Sequence, residues 1–415
     1  GEMKSLMVIL YVVLAILIAV ALFLFLPRGE KPAEPTRASA TTAPQQTTQA
    51  TEAPTTTEPE VSTTAPPTQP PTEPLPEMLV QEPAMVLAGK AVESWWIDGK
   101  HYIAAPAFAD ALGMTLEATQ PSVRMHTAHD TLEVTAERIT ANGTSVDVQD
   151  GVYTVSEQTY ILFQECVEAL GYPTLYDEEY DVTYITPAAR PFEIPQGVNV
   201  PVLMYHAVND DTSWGSAELM VSPSTLEEQL QYLLDNGYDP IWFEDLAYLD
   251  EYDKPVILTF DDGYLDNYEY LFPLLKKYQV KATVFIIADH MGMSHKATPE
   301  QVREMAQSGV VSIQSHTFTH EYLSNLSRSA QEDQMRLSRL KLARTTGLVP
   351  YVLCYPTGMY NGDTLELGPQ YYLFGIKMNG GLYNTSDDPF LVNRYYVSRY
   401  TGLDTFAAYV ASAGT

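Results

Sequence analysis

The spacing of apolar residues divides the chain into four stretches, and the first is an apolar run without a charge, Leu6 to Leu26. A helix of these 21 residues would span about 31 Å, which matches the thickness of the hydrocarbon core of a bilayer. A signal peptide normally has a shorter apolar region that ends at a small-residue cleavage site. Here the triplet Ala19-Val20-Ala21 lies inside the run. The pattern predicts a retained transmembrane anchor over residues 1–27, with a cleaved signal peptide as the alternative.

Residues 28–77 form the second stretch, which is rich in Pro and Thr and has almost no large apolar side chains. Such a segment cannot bury enough surface to offset the entropy lost on ordering, and its prolines keep it extended. We expect a disordered spacer that holds the folded part away from a membrane. The anchor and spacer together predict a single-pass protein of the cell membrane, with its folded domains outside the cell.

A faint internal repeat marks the third stretch, residues 78–190. Tyr102-Ile103 and Ala111-Leu112-Gly113 recur as Tyr160-Ile161 and Ala169-Leu170-Gly171, displaced by 58 residues. Each copy predicts a short strand, a helix that ends at a glycine, and an alternating strand. This small α+β domain with two similar halves resembles the copper-amine-oxidase N-terminal-like domain, and the resemblance implies a stalk or wall-contact role.

In the fourth stretch, residues 191–415, apolar strands alternate with amphipathic helices, which predicts an α/β fold. A capping box at Ser224–Glu227 opens one helix, and three more are predicted at 267–278, 299–308 and 327–346. Seven or eight βα units of this kind indicate a distorted parallel barrel. The predicted strands are 198–205, 240–242, 256–260, 282–287, 310–314, 352–355, 372–376 and 392–397.

Charge and cysteine content narrow the class of protein. The 415 residues include 23 Lys+Arg and 53 Asp+Glu, for a net charge of −30, which excludes a nucleic-acid-binding role. The two cysteines, Cys166 and Cys354, exclude a disulfide scaffold and a cysteine-built zinc finger. Both lie in apolar surroundings, so we expect buried free thiols.

Chemistry in a parallel barrel is found where the strands end. Asp261 and Asp262 follow one predicted strand, His316 follows another with His320 four residues on, and His206 follows a third. Alone, each has an ordinary explanation: a turn, a helix cap, or a pair of histidines on one helical face. Together they predict a metal site of one carboxylate and two imidazoles with an open position. A second carboxylate and another histidine nearby suit hydrolysis of an acyl bond.

Two motifs at these positions resemble those of the NodB-like polysaccharide deacetylases, carbohydrate esterase family 4. They are Thr259–Tyr264 and His316–His320, while Pro201–His206 resembles the opening strand of the poly-N-acetylglucosamine deacetylase subgroup. The resemblance implies that Asp261 is the general base and that Asp262, His316 and His320 bind a divalent metal, zinc foremost among the transition metals. It implies that His206 is the general acid.

The third motif of that family would fall at Tyr355–Gly358. The resemblance implies that the backbone N–H of Thr357 contributes to an oxyanion hole. Tyr264 and Tyr355 are candidate faces for sugar rings, as is Trp214, although packing in the core or rim is an equal alternative. The arginine that usually orients the base is missing from this motif, and Arg394 is a candidate substitute.

These features predict a membrane-anchored, metal-dependent hydrolase that removes N-acetyl groups from N-acetylglucosamine-type residues of an acetylated glycan, either peptidoglycan or a surface polysaccharide. Two alternatives stay open. One is an esterase that removes O-acetyl groups from xylan or wall glycans. The other is a wall-binding protein whose catalytic barrel has decayed, for which the missing arginine is the only support.

Overall fold

The computed structural model describes residues 79–80, 84–378 and 380–415, and the predicted anchor and spacer lie outside these ranges. Within the described ranges, no helix combines the length and apolarity needed to cross a bilayer. All described residues belong to one compact unit, Thr72–Thr415.

Residues 79–190 form three antiparallel or mixed sheets around two short helices, α1 (Ala105–Leu112) and α2 (Phe163–Ala169). The strands are β1 (Leu79–Val80), β2 (Ala84–Leu87), β3 (Lys90–Val92), β4 (Ser94–Ile97), β5 (Lys100–Ala104), β6 (Thr115–Ala118), β7 (Val123–His126), β8 (Thr131–Val134), β9 (Arg138–Ala141), β10 (Thr144–Asp147), β11 (Val152–Val155), β12 (Gln158–Leu162), β13 (Thr174–Asp177) and β14 (Val182–Ile185). Their orders in the three sheets are β1-β4-β5-β12-β11, β10-β9-β8-β7-β6 and β13-β14-β2-β3.

The two copies of the sequence repeat have the same order of elements in the structure. Strand β5 leads directly into α1, and strand β12 leads directly into α2; each helix is followed by a hairpin. Helix α1 ends at Gly113, whose φ of 66° lies in the left-handed region that glycine adopts without strain. Phe108 and Phe163, one from each helix, are buried and meet edge to face.

The strands from residue 199 onward are β15 (Asn199–Val200), β16 (Val202–Tyr205), β17 (Ala207–Val208), β18 (Met220–Val221), β19 (Asp239–Pro240), β20 (Pro255–Phe260), β21 (Ala282–Ile286), β22 (Val311–Ser315), β23 (Val352–Cys354), β24 (Phe374–Ile376), β25 (Tyr383–Asn384) and β26 (Tyr395–Tyr396). Eight of them form the main sheet: seven lie in the order β24-β23-β22-β21-β20-β16-β26, and the eighth, β19, pairs with β20. The strand pairs of this sheet are all parallel, and a parallel bridge from Ile376 to Val392 links β24 to the segment that leads into β26. The sheet therefore curls into a nearly closed, distorted barrel.

The predicted helices are present, with some changes at their ends. The first begins after Ser222, whose side chain accepts the Thr225 N–H, so the cap lies two residues before the predicted Ser224. Asn267–Leu271 forms a π-helical turn that continues into α4. The α-helices here are α3 (Pro223–Asp235), α4 (Phe272–Tyr278), α5 (Pro299–Ala306), α6 (Arg328–Thr346), α7 (Gly362–Tyr371) and α8 (Leu403–Val410).

An ion pair joins the small domain to helix α6. Arg344 donates to both oxygens of Asp177 at 2.5 and 2.7 Å and also pairs with Glu179 at 2.8 Å. Beside this pair, Tyr184 packs against Ala343 and Val349 in a small apolar cluster. Because Asp177 is buried and bound through two charge-assisted hydrogen bonds, this contact fixes the small domain against α6.

Candidate active site

The residues predicted to carry the chemistry lie at one end of the barrel. Strand β20 is buried along all six residues and ends directly before Asp261 and Asp262. His316 follows β22, and His206 follows β16, which pairs in parallel with β20. Since the carboxyl ends of parallel strands meet at the same end of a barrel, these side chains converge there.

Asp262, His316 and His320 form a three-residue cluster with one donor atom each. Asp262 Oδ1 lies 3.4 Å from His316 Nε2 and 3.5 Å from His320 Nε2. Ligands bound at about 2.1 Å to one tetrahedral cation lie about 3.4 Å apart, which these separations match. The residues therefore fit a divalent cation, and two nitrogens with one carboxylate oxygen are donors that zinc and similar metals accept.

Local backbone geometry, and not a helix, brings the two histidines together. Residues 316–320 are a loop in which Thr317 and His320 both have φ of 64°, so the helical-face interpretation of this spacing is wrong. Thr317 Oγ1 accepts the His320 N–H, which stabilises the tight turn. Asp262 is also left-handed, with φ of 75°. Left-handed non-glycine residues cost free energy and cluster at functional sites.

His316 is held by a backbone carbonyl. Its Nδ1 lies 2.9 Å from the Cys354 carbonyl oxygen, so Nδ1 carries a proton and donates it there, and Nε2 is the ring nitrogen that faces Asp262. Burial lowers the pKa of His320 to about 4, with the neighbouring His316 acting in the same direction. A neutral imidazole at His320 is the form that binds metals.

Asp261 pairs with the buried Arg394. The Arg394 Nη1 and Nη2 atoms each donate to one Asp261 oxygen at 2.7 Å, while Nε donates to the Lys377 carbonyl. Burial raises the pKa of Asp261, but the Arg394 guanidinium together with His316 and His206 lowers it by more, so the carboxylate stays ionised. Arg394 thus lies where a substitute for the missing arginine is expected, directly before strand β26.

A second trio, Asp261, His316 and Cys354, also lies close enough to hold a metal. Both carboxylate oxygens of Asp261 already accept hydrogen bonds from Arg394, and Arg394 Nη2 lies 3.2 Å from Cys354 Sγ. A fixed positive charge at these atoms disfavours a cation, so the Asp262 cluster is the better metal site. Cys354 and Cys166 are both free and buried.

His206 faces Asp261 across the site. Its Nε2 lies 4.0 Å from Asp261 Oδ2, and its buried Nδ1 has no hydrogen-bond partner among the described residues. Burial lowers the pKa of His206, and the carboxylates of Asp261 and Asp262 oppose this shift. The Asn267 amide donates to the His206 carbonyl at 2.9 Å and fixes the backbone there.

The residues predicted to contact the oxyanion or the sugar lie in different surroundings. Thr357 is exposed in the turn Pro356–Gly358, with a left-handed φ of 54°. Tyr264 is half-buried beside Trp214, with 5.4 Å between ring centroids. Tyr355 is 1% exposed and donates its hydroxyl to the Phe390 carbonyl, so its proposed role as a face for a sugar ring is wrong.

Two supporting residues were not predicted from the sequence. The Gln334 Oε1 atom of helix α6 accepts the N–H groups of Phe318 and Thr319 at 3.0 and 2.9 Å and so fixes the loop between the histidines. Lys296 Nζ donates to the Asp262 carbonyl at 3.0 Å and lies 3.7 Å from the centroid of the Tyr264 ring. Neither lies in a recognisable motif.

Comparisons with known proteins identify relatives of this chain. The family model "Polysaccharide deacetylase" matches residues 249–372. The chain is 34% identical over 219 residues to YxkH of Bacillus subtilis, described as a polysaccharide deacetylase, covering 51% of this chain and 76% of that protein. It is 28% identical over 232 residues to the poly-beta-1,6-N-acetyl-D-glucosamine N-deacetylase of Escherichia coli K12, covering 44% of this chain and 34% of that protein.

Among solved structures, the deacetylase PplD of Streptococcus pyogenes, in complex with acetate, is 29% identical. That alignment covers 52% of this chain and 99% of PplD, with a TM-score of 0.48. The match to YxkH spans three quarters of that relative, and the family model covers the stretch of chain that contains Asp261, Asp262, His316 and His320. The chain therefore belongs to the polysaccharide deacetylase family of hydrolases.

Proposed function

We propose that this deacetylase removes N-acetyl groups from N-acetylglucosamine-type residues of peptidoglycan or a surface polysaccharide. The observation that carries the proposal is the cluster at the barrel mouth, where a metal-ligating trio lies beside an Arg-paired carboxylate and a histidine. Similarity to an E. coli enzyme named as a poly-N-acetylglucosamine N-deacetylase supports the amide as the target bond.

Asp262, His316 and His320 would hold the divalent cation, most simply zinc. When bound, it supplies Lewis-acid polarisation of the acyl carbonyl and of water. Asp261 accepts the proton of the attacking water, and Arg394 keeps that carboxylate ionised and oriented. His206 donates a proton to the departing nitrogen, and the backbone N–H of Thr357 stabilises the developing oxyanion.

Removal of the metal tests this proposal directly. Incubation with a chelator is expected to lower acetate release from N-acetylglucosamine oligomers by at least about a hundredfold, because Lewis-acid polarisation is lost. Dialysis followed by addition of Zn²⁺ is expected to restore activity. Release of acetate at the original rate from fully metal-free protein, verified by elemental analysis, contradicts the proposal.

Replacement of His206 separates an amidase from an esterase. His206→Ala is expected to lower deacetylation of an amide substrate by about 10²–10⁴-fold, because the amine leaving group needs a proton, and that of an acetyl ester far less. The measurement is acetate release from N-acetylated and O-acetylated oligosaccharides of equal length. The control is His126→Ala, which replaces a histidine of the small domain whose side chain is 42% exposed. Equal losses on both substrates argue against His206 as the acid.

The decayed-barrel alternative loses its support, because Arg394 supplies the guanidinium missing from the third motif. We also retain as proposals the anchor at residues 1–27 and the extracellular location of the folded domains. Both rest on the apolar run and on the Pro/Thr-rich spacer of the sequence.

A further inference from the structure

A cavity of about 880 Å³ lies between the small domain and helix α6. Strand β13 and the turn after it line one side, and the exposed face of α6 from Arg336 to Arg344 lines the other. Phe318 lines it too, and this residue is two positions from each metal-ligating histidine. The cavity volume is within the range of ligand-binding sites.

Arg339 is the unusual residue of this cavity. Its Nε is buried and makes no hydrogen bond with any described residue, and its guanidinium carbon lies 6.0 Å from the Tyr371 ring centroid. None of the ion pairs among the described residues includes it, whereas the flanking Arg336 pairs with Asp333 and Arg344 with Asp177. A buried donor without a partner is rare in native proteins, and it marks Arg339 as the cation of this cavity whose side chain would gain most from an added acceptor.

The charges around the cavity favour an anionic ligand. Four cationic side chains line it, against three carboxylates. Two of those carboxylates, Asp177 and Glu179, are already bound to Arg344, so Arg339 and Lys341 are left without an anionic partner among the described residues. The whole chain has a net charge of −30, so the unpaired cations of this cavity form a local positive patch on a negatively charged protein.

Aromatic surfaces suit a sugar. Tyr176 is 51% exposed and lines the cavity, as does Tyr371. Tyr176 also lines a second cavity, of about 500 Å³, whose wall includes Trp96 with 39% exposure. Exposed aromatic faces beside polar groups are the surfaces on which sugar rings stack, and Tyr176 and Trp96 place such faces on the small-domain side of the cavity.

We propose that this cavity binds a carboxylate-bearing segment of the glycan substrate, with Arg339 as the residue that holds the carboxylate. This inference rests on the proposed function, because it takes the polymer that reacts at the barrel mouth as the occupant. It narrows the substrate class to acidic glycans, such as those with lactyl or uronic carboxylates. The small domain then contributes to substrate binding through Tyr176 and Leu175.

The test uses the metal-loaded full chain and three oligosaccharides of equal length: a neutral N-acetylglucosamine oligomer, one that alternates with N-acetylmuramic acid, and one that alternates with a uronic acid. Calorimetry measures binding, and acetate release gives kcat and KM. Arg339→Met is expected to weaken binding of an acidic oligomer, and raise its KM, by about tenfold or more, with kcat and the neutral oligomer unchanged. Whichever acidic oligomer shows the loss identifies the source of the carboxylate.

Two variants provide the controls. Arg339→Lys keeps the charge and is expected to retain part of the affinity. Arg328→Met removes an equal charge from the same helix, but Arg328 pairs with Asp363 and Glu366 away from the cavity, so no change is expected. Equal effects of Arg339→Met on acidic and neutral oligomers, or none on either, overturn the inference. Absence of acetate release from all three substrates refutes the proposed function, while the binding data still decide the role of Arg339.

Discussion

Asp262→Asn is expected to lower kcat/KM for acetate release by about three orders of magnitude, because it removes the only carboxylate of the metal-ligating trio. The Oδ1 atom of Asp262 lies 3.4 and 3.5 Å from the Nε2 atoms of His316 and His320. Burial raises the pKa of Asp262, but the charged and hydrogen-bonding groups around it together lower it by more, so the native side chain carries the negative charge that a divalent cation needs. An amide of the same shape lacks that charge.

Metal content measured by elemental analysis after dialysis is expected to fall together with activity. Asp289→Asn is a matched control, since Asp289 is an exposed carboxylate on the turn after β21 and belongs to neither metal-ligating cluster. Thermal unfolding of both variants checks that the fold is retained. A dialysed Asp262→Asn protein that keeps one equivalent of metal and native activity contradicts the assignment of Asp262 as a ligand.

The sequence predicts the barrel well because its signals are local. An apolar run such as Pro255–Phe260, buried on both faces, reads as a strand of a parallel sheet, and the acidic pair that follows it marks the strand end. Helices that end at a glycine or begin at a serine cap can be predicted as well, because these signals are also local. Once strands and helices alternate, the shared position of Asp261, His206 and His316 follows from the topology of a parallel barrel.

Features that depend on long-range contact or on backbone conformation could not be predicted. The carbonyl of Cys354 holds His316, and a backbone group carries no side-chain signal. The left-handed conformations of Thr317 and His320 depend on the loop's hydrogen bonds to Gln334, a residue of another element. Tyr355 packs against Gly375 and the Phe390 carbonyl, so tertiary packing decides that its ring is not a sugar platform.

The sequence predicts Arg394 only as a candidate, because 133 residues separate it from Asp261, and the pairing of β26 with β16 and the bridge from Ile376 to Val392 bring the two together. Arg394→Met is expected to reduce the free energy of unfolding by about 3–5 kcal/mol at pH 7, since it leaves a buried carboxylate without its cation. Arg394→Lys retains a charge but not the two parallel hydrogen bonds, so an intermediate loss is expected. Urea unfolding of the two variants and the native protein measures this order.

The pH dependence of Arg394→Met gives a second readout that a simple packing defect would not change. In the native protein the pKa of Asp261 lies below its unfolded value, so its contribution to stability is present above that value and is lost only in acid. Without Arg394, burial remains and raises the pKa, and His206 and His316 are the remaining groups that lower it. The variant is therefore expected to gain more stability than the native protein on acidification from pH 7 to pH 5.

The acidic limb of the kcat/KM profile of Arg394→Met is expected to move to higher pH, because the base must be ionised to accept a proton. An unshifted acidic limb, with stability lost equally at both pH values, would mean that Arg394 only fills space beside Asp261.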